Sequence, residues 1–177
     1  MLGYASTMSP LAQADDSLDA LARRVARALK SKGWMLATAE SCTGGMVAEV
    51  FTSIAGSSEW FERGFVTYSN LAKREMLGVS TTTLARFGAV SEQTARAMAE
   101  GALVNSHAQV AVAITGIAGP SGGTPEKPIG TVWLAWAAKD KDTQTAGEQF
   151  EGDRDAVRRQ ASGRALAGLV SCIGETE

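Results

Sequence analysis

Residues 39–45, which read Ala-Glu-Ser-Cys-Thr-Gly-Gly, place three chemically useful side chains side by side. Glu40 offers a carboxylate, Ser41 a hydroxyl and Cys42 a thiol, directly before two glycines. An apolar segment precedes this turn and apolar residues with helical spacing follow it, so it is predicted to join a strand to a helix. The unpaired N–H groups of a helix N-terminus suit an anion or a developing oxyanion. The turn is therefore the first candidate for an active site.

Two further segments follow predicted strands, residues 66–74 (VTYSNLAKR) and residues 114–123 (ITGIAGPSGG). Open α/β sheets bind ligands at the carboxyl ends of their strands, so we expect all three segments to meet in one cleft. The 114–123 loop lacks the Gly-Lys-Ser/Thr of a P-loop and does not fit Gly-x-Gly-x-x-Gly. The sequence thus gives little support to ATP or dinucleotide binding, and a plainly flexible turn is the alternative for this loop.

The spacing of apolar residues predicts the elements that must position these segments. Helices are predicted at 17–32, 45–54, 71–77, 80–87, 91–105 and from 153 onward, and strands at 34–40, 60–68, 108–115, 130–137 and 143–150. Ser17, Asn70, Ser91 and Asp153 are the predicted helix caps. The alternation predicts an α/β fold, a three-layer α/β/α sandwich with a mixed, mostly parallel sheet. We expect a flexible leader over residues 1–16 and a single domain over 17–177.

Composition narrows the classes of partner. The formal net charge is −2, which provides no basic face for nucleic acid or an anionic membrane. No segment is long and apolar enough for a membrane span, and the first residues do not resemble a secretion signal. The two cysteines, Cys42 and Cys172, match no zinc spacing, so we expect no metal site and a reducing, cytoplasmic location.

The three polar segments, in this order, resemble the family of the C-terminal domain of competence/damage-inducible protein A. The motifs that carry the resemblance are residues 39–45, 54–58 (IAGSS), 64–73 (GFVTYSNLAK), 88–91 (GAVS), 113–120 (AITGIAGP), 130–132 (GTV) and 152–154 (GDR). Stand-alone members of this family are nicotinamide-nucleotide amidases. The resemblance therefore implies hydrolysis of the carboxamide of nicotinamide mononucleotide, in pyridine nucleotide salvage and without a cofactor.

The resemblance also implies roles for individual residues. Ser41 would be the nucleophile, Lys73 the base that takes its proton, and Tyr68 a residue that relays or orients the transfer. The residues implied to contact the substrate are Glu40, Thr43, Gly44 and Gly45 near the reacting group, and Thr115, Gly116, Gly119, Gly122, Gly123 and Arg154 near the phosphate or ribose. A working Lys73 requires a pKa lowered by burial or by a nearby cation.

Plainer roles stay open for these residues. Ser41 could simply cap the following helix, and Lys73 could be a solvated helix residue. Cys42 competes as nucleophile, because a thiolate at a helix N-terminus is intrinsically more reactive, but it could equally be a small buried side chain. His107, the single histidine, suggests no Ser-His-acid arrangement.

Two classes of function are consistent with the sequence. The first is the amidase, acting on a small nucleotide and expected to form a homo-oligomer. The second is a non-catalytic module that binds a mononucleotide in the same cleft. A purely structural interaction protein would leave the polar strand ends unexplained.

Overall fold

The structure, a computed structural model, describes residues 10–174 and the side chains from residue 18 onward. Its helices are α1 (Pro10–Lys32), α2 (Met46–Thr52), α3 (Asn70–Leu77), α4 (Thr81–Phe87), α5 (Glu92–Val104) and α6 (Arg154–Ile173). Its strands are β1 (Leu36–Glu40), β2 (Phe61–Val66), β3 (Val110–Gly116), β4 (Thr131–Ala138) and β5 (Gln144–Gln149), and a 3-10 helix spans Ser57–Glu59.

The strands form one mixed sheet in the order β2-β1-β3-β4-β5. β1 pairs in parallel with both β2 and β3, whereas β4 pairs antiparallel with both β3 and β5. The chain returns from β3 to β4 through a loop without a helix, which permits antiparallel pairing, whereas a parallel pair needs a longer crossover. Because β1, β2 and β3 are parallel, their carboxyl ends meet at one edge of the sheet, as predicted.

Helices cover both faces of the sheet, which confirms the predicted α/β layering. The larger side chains of the sheet, such as Val112 and Ile114 on β3, pack with α1, α2 and α6. Alanines of the same strands, among them Ala111 and Ala113, face α5 on the other side. Because alanine is short, α5 lies close to the sheet and brings α3, which packs on α5, near the strand ends.

Two of the predicted helix starts are wrong. The first helix begins at Pro10, so Ser17 lies inside it. Proline suits the first position of a helix, and no residue between Pro10 and Ser17 interrupts the helix. Asn70 is the first residue of α3, and its cap is Ser69, whose Oγ accepts from Ala72 N at 3.0 Å. Residues 1–9 of the predicted leader lie outside the described residues.

The other predicted caps are confirmed. The side chain of Ser91 accepts from Thr94 N at 3.2 Å, and that of Asp153 accepts from Ala156 N at 2.9 Å. β5 matches the strand predicted at 143–150 and lies at one edge of the sheet. Among residues 10–174, none of the helices combines the length and the apolar character that crossing a bilayer requires.

Candidate active site

A cavity of about 280 Å³ opens where β1, β2 and β3 end. Its lining residues are Ser41, Cys42, Tyr68, Asn70, Lys73, Ala89, Val90, Thr115, Gly116, Ile117, Ala118, Gly119, Ser121, Gly122 and Arg154. The three polar segments therefore meet in one place, as the topology rule predicts for this sheet edge. The three residues predicted as catalytic all line the cavity.

Ser41 and Lys73 are in direct contact inside this cavity. Lys73 Nζ lies 3.0 Å from Ser41 Oγ and also donates to the carbonyl oxygen of Thr67 at 2.9 Å. Only 1% of Lys73 is exposed, and burial lowers the pKa of its ammonium group. A neutral amine that donates one hydrogen to Thr67 keeps its lone pair for the serine hydroxyl. The arrangement is thus suited to removing a proton from Ser41.

Burial has the opposite effect on the neighbouring thiol. Cys42 is buried, which raises the pKa of its thiol to about 11. A thiol with that pKa carries almost no thiolate near neutral pH, and the thiolate is the nucleophilic form. Although Cys42 also lines the cavity, its surroundings favour the role of a small packed side chain.

Glu40 does not line the cavity, and its placement corrects the predicted substrate contact. The side chain is fully buried on the α2 side of the sheet. Its Oε1 accepts from Val47 N at 2.9 Å and its Oε2 accepts from Ala48 N at 3.0 Å. Both oxygens are thus used to cap the first turn of α2, where a negative charge is favoured by the exposed N–H groups.

Thr43, Gly44 and Gly45 also lie outside the cavity lining and instead shape the turn around Ser41. Gly44 N donates to Ser41 O at 3.0 Å, and Gly45 has a φ of 102°, which favours glycine. Ser41 N donates to Ile114 O at 2.9 Å, which ties the turn to β3. Gly123 likewise does not line the cavity, but faces a neighbouring surface depression with Pro125.

The loop after β3 forms the opposite wall. Thr115, Gly116, Gly119 and Gly122 line the cavity as predicted, and Thr115 Oγ1 donates to Ala89 O at 2.7 Å. The backbone N–H groups of residues 118, 121 and 122 find no acceptor among the residues that the structure describes. Free N–H groups of this kind can bind an anion.

Arg154 closes the mouth of the cavity. Its Nη1 donates to Gly119 O at 2.7 Å, and its Nη2 donates to the hydroxyl of Tyr68 at 2.8 Å. Tyr68 is 62% exposed, so its ring stands at the entrance. No carboxylate within residues 18–174 pairs with Arg154, which leaves its charge available to an anionic ligand.

Part of this wall is not predicted by the sequence. Ala89 and Val90 line the cavity without belonging to any of the three predicted segments, whereas Asn70, Ile117, Ala118 and Ser121 lie within them. Ala89 and Val90 both belong to the 88–91 motif, which is one of the motifs that carry the family resemblance. Their side chains are apolar, so the motif is the one feature of the sequence that could have pointed to them. No cluster of side chains within the described part of the chain is arranged to hold a metal ion.

Comparison with known proteins shows which family the chain resembles. Residues 18–173 match the sequence profile of the family described as the CinA C-terminal domain. The chain is 58% identical over 155 residues to nicotinamide-nucleotide amidohydrolase PncC of Escherichia coli strain K12, covering 88% of this chain and 94% of that protein. The crystal structure of competence/damage inducible protein CihA from Agrobacterium tumefaciens superposes with a TM-score of 0.86 at 49% identity, covering 88% of this chain and 94% of that one.

Proposed function

Because the chain belongs to the CinA C-terminal domain family, we propose that it hydrolyses the carboxamide of nicotinamide mononucleotide to nicotinate mononucleotide and ammonia. The relative from Escherichia coli carries the name of this activity, and 94% of its length is covered. The observation on which the proposal chiefly rests is the 3.0 Å contact between Ser41 Oγ and a buried Lys73 amine.

The proposed mechanism uses Ser41 as nucleophile and Lys73 as the group that moves protons. Neutral Lys73 takes the hydroxyl proton while Oγ attacks the carboxamide carbon, forming a tetrahedral intermediate. Lys73 then gives the proton to the amide nitrogen, the C–N bond breaks and ammonia leaves. Lys73 next takes a proton from a water molecule, whose oxygen attacks the carbonyl carbon of the resulting ester. The ester bond to Ser41 breaks, and Lys73 gives its proton to Ser41 Oγ. The sum is one amide and one water converted to one acid and one ammonia.

The remaining cavity residues would hold the nucleotide. We propose that Arg154 and the free N–H groups of the 117–123 loop bind the phosphate, and that Thr115 and Gly116, which line the same cavity, contact the rest of the nucleotide. Tyr68 lines the same cavity and its hydroxyl accepts from Arg154, so in this proposal it orients the substrate or relays the proton transfer. In this proposal the enzyme acts in pyridine nucleotide salvage and needs no cofactor.

The test is ammonia release from nicotinamide mononucleotide by the purified wild type, Ser41→Ala and Cys42→Ala, with a metal chelator present. We expect turnover in the wild type, a loss of at least about 1,000-fold in Ser41→Ala, and near-normal turnover in Cys42→Ala. Cys42→Ala is the matched control because the two side chains are neighbours and both line the cavity. Activity in Ser41→Ala, with loss in a folded Cys42→Ala, would refute the assignment. Binding without turnover in the wild type would favour the non-catalytic module.

A further inference from the structure

The arginines of α6 divide into two groups. Arg159 pairs with Asp155 at 2.8 Å, and Arg164 pairs with Glu148 at 2.7 Å. Arg154 and Arg158 have no carboxylate partner among the described side chains, and both donate to groups around the cavity. Since these two residues are four apart, they lie on the same face of the helix.

Arg158 contacts the nucleophile turn without entering the cavity. Its Nη2 donates to the carbonyl oxygen of Thr43 at 3.0 Å. The same oxygen accepts from Met46 N at 3.1 Å, and Gly44 N, which belongs to the same peptide unit, donates to Ser41 O at 3.0 Å. The peptide between Thr43 and Gly44 is thereby held at three points, one of them the half-buried guanidinium of α6.

The peptides just before this one carry groups that the reaction needs. Within residues 18–174, three N–H groups of this turn donate to no oxygen acceptor, those of Cys42, Thr43 and Gly45. The first two belong to the peptides that directly follow Ser41. Ser41 N is itself used by Ile114 O. Cys42 lines the cavity, and Thr43, which does not, carries the next N–H along the turn. These two N–H groups are the donors nearest in sequence to Ser41 that remain for an oxyanion formed by its attack.

We propose that Arg158 is a positioning residue for the amidase reaction, because it fixes the peptide that orients these two N–H donors relative to Ser41 Oγ. This inference rests on the proposed function. A guanidinium on α6 joins the nucleophile turn to the helix that also supplies Arg154, so one helix sets the spacing between the two walls of the cavity. A displacement of the donors by about 1 Å costs on the order of 100-fold in rate.

The experiment compares Arg158→Gln and Arg158→Lys with Arg159→Gln, the neighbouring arginine that pairs with Asp155 instead. For ammonia release from nicotinamide mononucleotide, we expect kcat to fall about 10- to 100-fold in Arg158→Gln, with KM changed less than about 3-fold. Arg158→Lys should recover part of kcat, since an amine can still donate to Thr43 O. The pH midpoint of kcat should not move, because Lys73 is untouched, and Arg159→Gln should keep the wild-type kcat.

A kcat for folded Arg158→Gln within about 2-fold of the wild type, or a loss that appears in KM alone, would overturn the proposal. If Arg158→Gln fails to fold, the same criteria apply to Arg158→Met, which keeps the aliphatic part of the side chain and has no donor for Thr43 O. A fluorophosphonate probe separates this proposal from the amidase assignment. The Ser41 oxygen attacks phosphorus, Lys73 takes the hydroxyl proton and fluoride leaves, so labelling uses the same donors without the nucleotide. Slower labelling of Arg158→Gln than of Arg159→Gln supports the positioning role even in a protein that does not hydrolyse the nucleotide, and equal labelling refutes it.

Discussion

At the scale of single residues, burial has opposite chemical consequences for two neighbouring groups. It disfavours the charged form of each, which lowers the pKa of the Lys73 ammonium and raises the pKa of the Cys42 thiol to about 11. A lysine made neutral becomes a base, whereas a thiol kept neutral loses its nucleophilic form. The same desolvated environment therefore favours Ser41 with Lys73 over Cys42, although sequence alone leaves both nucleophiles open.

The burial of Lys73 predicts the pH dependence of turnover. Protonated Lys73 cannot accept the proton of Ser41, so kcat should rise with pH through the pKa of the folded enzyme and then level off. Because burial lowers that pKa from 10.5, the midpoint should lie below 10.5. The check is a pH profile of kcat for the wild type beside Lys73→Arg, which stays protonated and should lose activity at every pH. A flat wild-type profile, or an active Lys73→Arg, would contradict this prediction.

At the scale of elements, the strand ends are predictable from sequence and the side-chain directions are not. The topology rule is enough to bring residues 41, 68 and 115–122 to one cleft. Glu40 and Ser41 are adjacent, and neighbouring side chains at a strand end point to opposite faces. That alternation accounts for Glu40 facing α2 while Ser41 faces the cavity. The roles of Arg158 and of the 88–91 segment depend on contacts over long sequence distances, which no local pattern reports.

The contact between α3 and α5 offers a prediction about how Lys73 is placed. Gly101 on α5 lies against the backbone of Leu77, one helical turn after Lys73 on α3, and a methyl group there would overlap the Leu77 carbonyl. Gly101→Ala should push α3 away, lowering kcat at least about 10-fold and stability by about 1 to 3 kcal/mol. The measurements are kcat and the free energy of unfolding in urea.

Gly163→Ala on α6 is the matched control for that substitution. Among the described side chains, its added methyl group would meet Leu18 alone, at 3.6 Å, an ordinary contact. It should keep kcat and gain up to about 1 kcal/mol from the higher helix propensity of alanine. Unchanged kcat in a destabilised Gly101→Ala would show that α3 does not set the position of Lys73.

At the scale of the whole molecule, α6 serves the site with one end and the core with the other. Its first two turns present Arg154 and Arg158 to the cavity walls. Farther along, the indole of Trp136 on β4 donates to Ala165 O at 2.9 Å and packs against Gly168. A helix rises 1.5 Å per residue, so Gly168 lies about 15 Å from Arg158. Stability and catalysis should therefore be separable along one helix.

Gly168→Ala tests that separation. The new methyl group would overlap the Trp136 ring, which is buried and fixed by its hydrogen bond, so relief requires a shift of α6 or of the indole. We expect a loss of about 1 to 3 kcal/mol, which for a domain of this size lowers the unfolding midpoint by roughly 2 to 12 °C. At a temperature where the variant remains folded, kcat should stay within about 2-fold of the wild type. The measurements are thermal unfolding followed by circular dichroism and ammonia release at that temperature.

A fall in kcat as large as that of Arg158→Gln would contradict the separation. It would mean that the packing of Trp136 on α6 helps to hold Arg154 and Arg158 in position at the cavity, because a disturbance in the core would then reach the site through the helix.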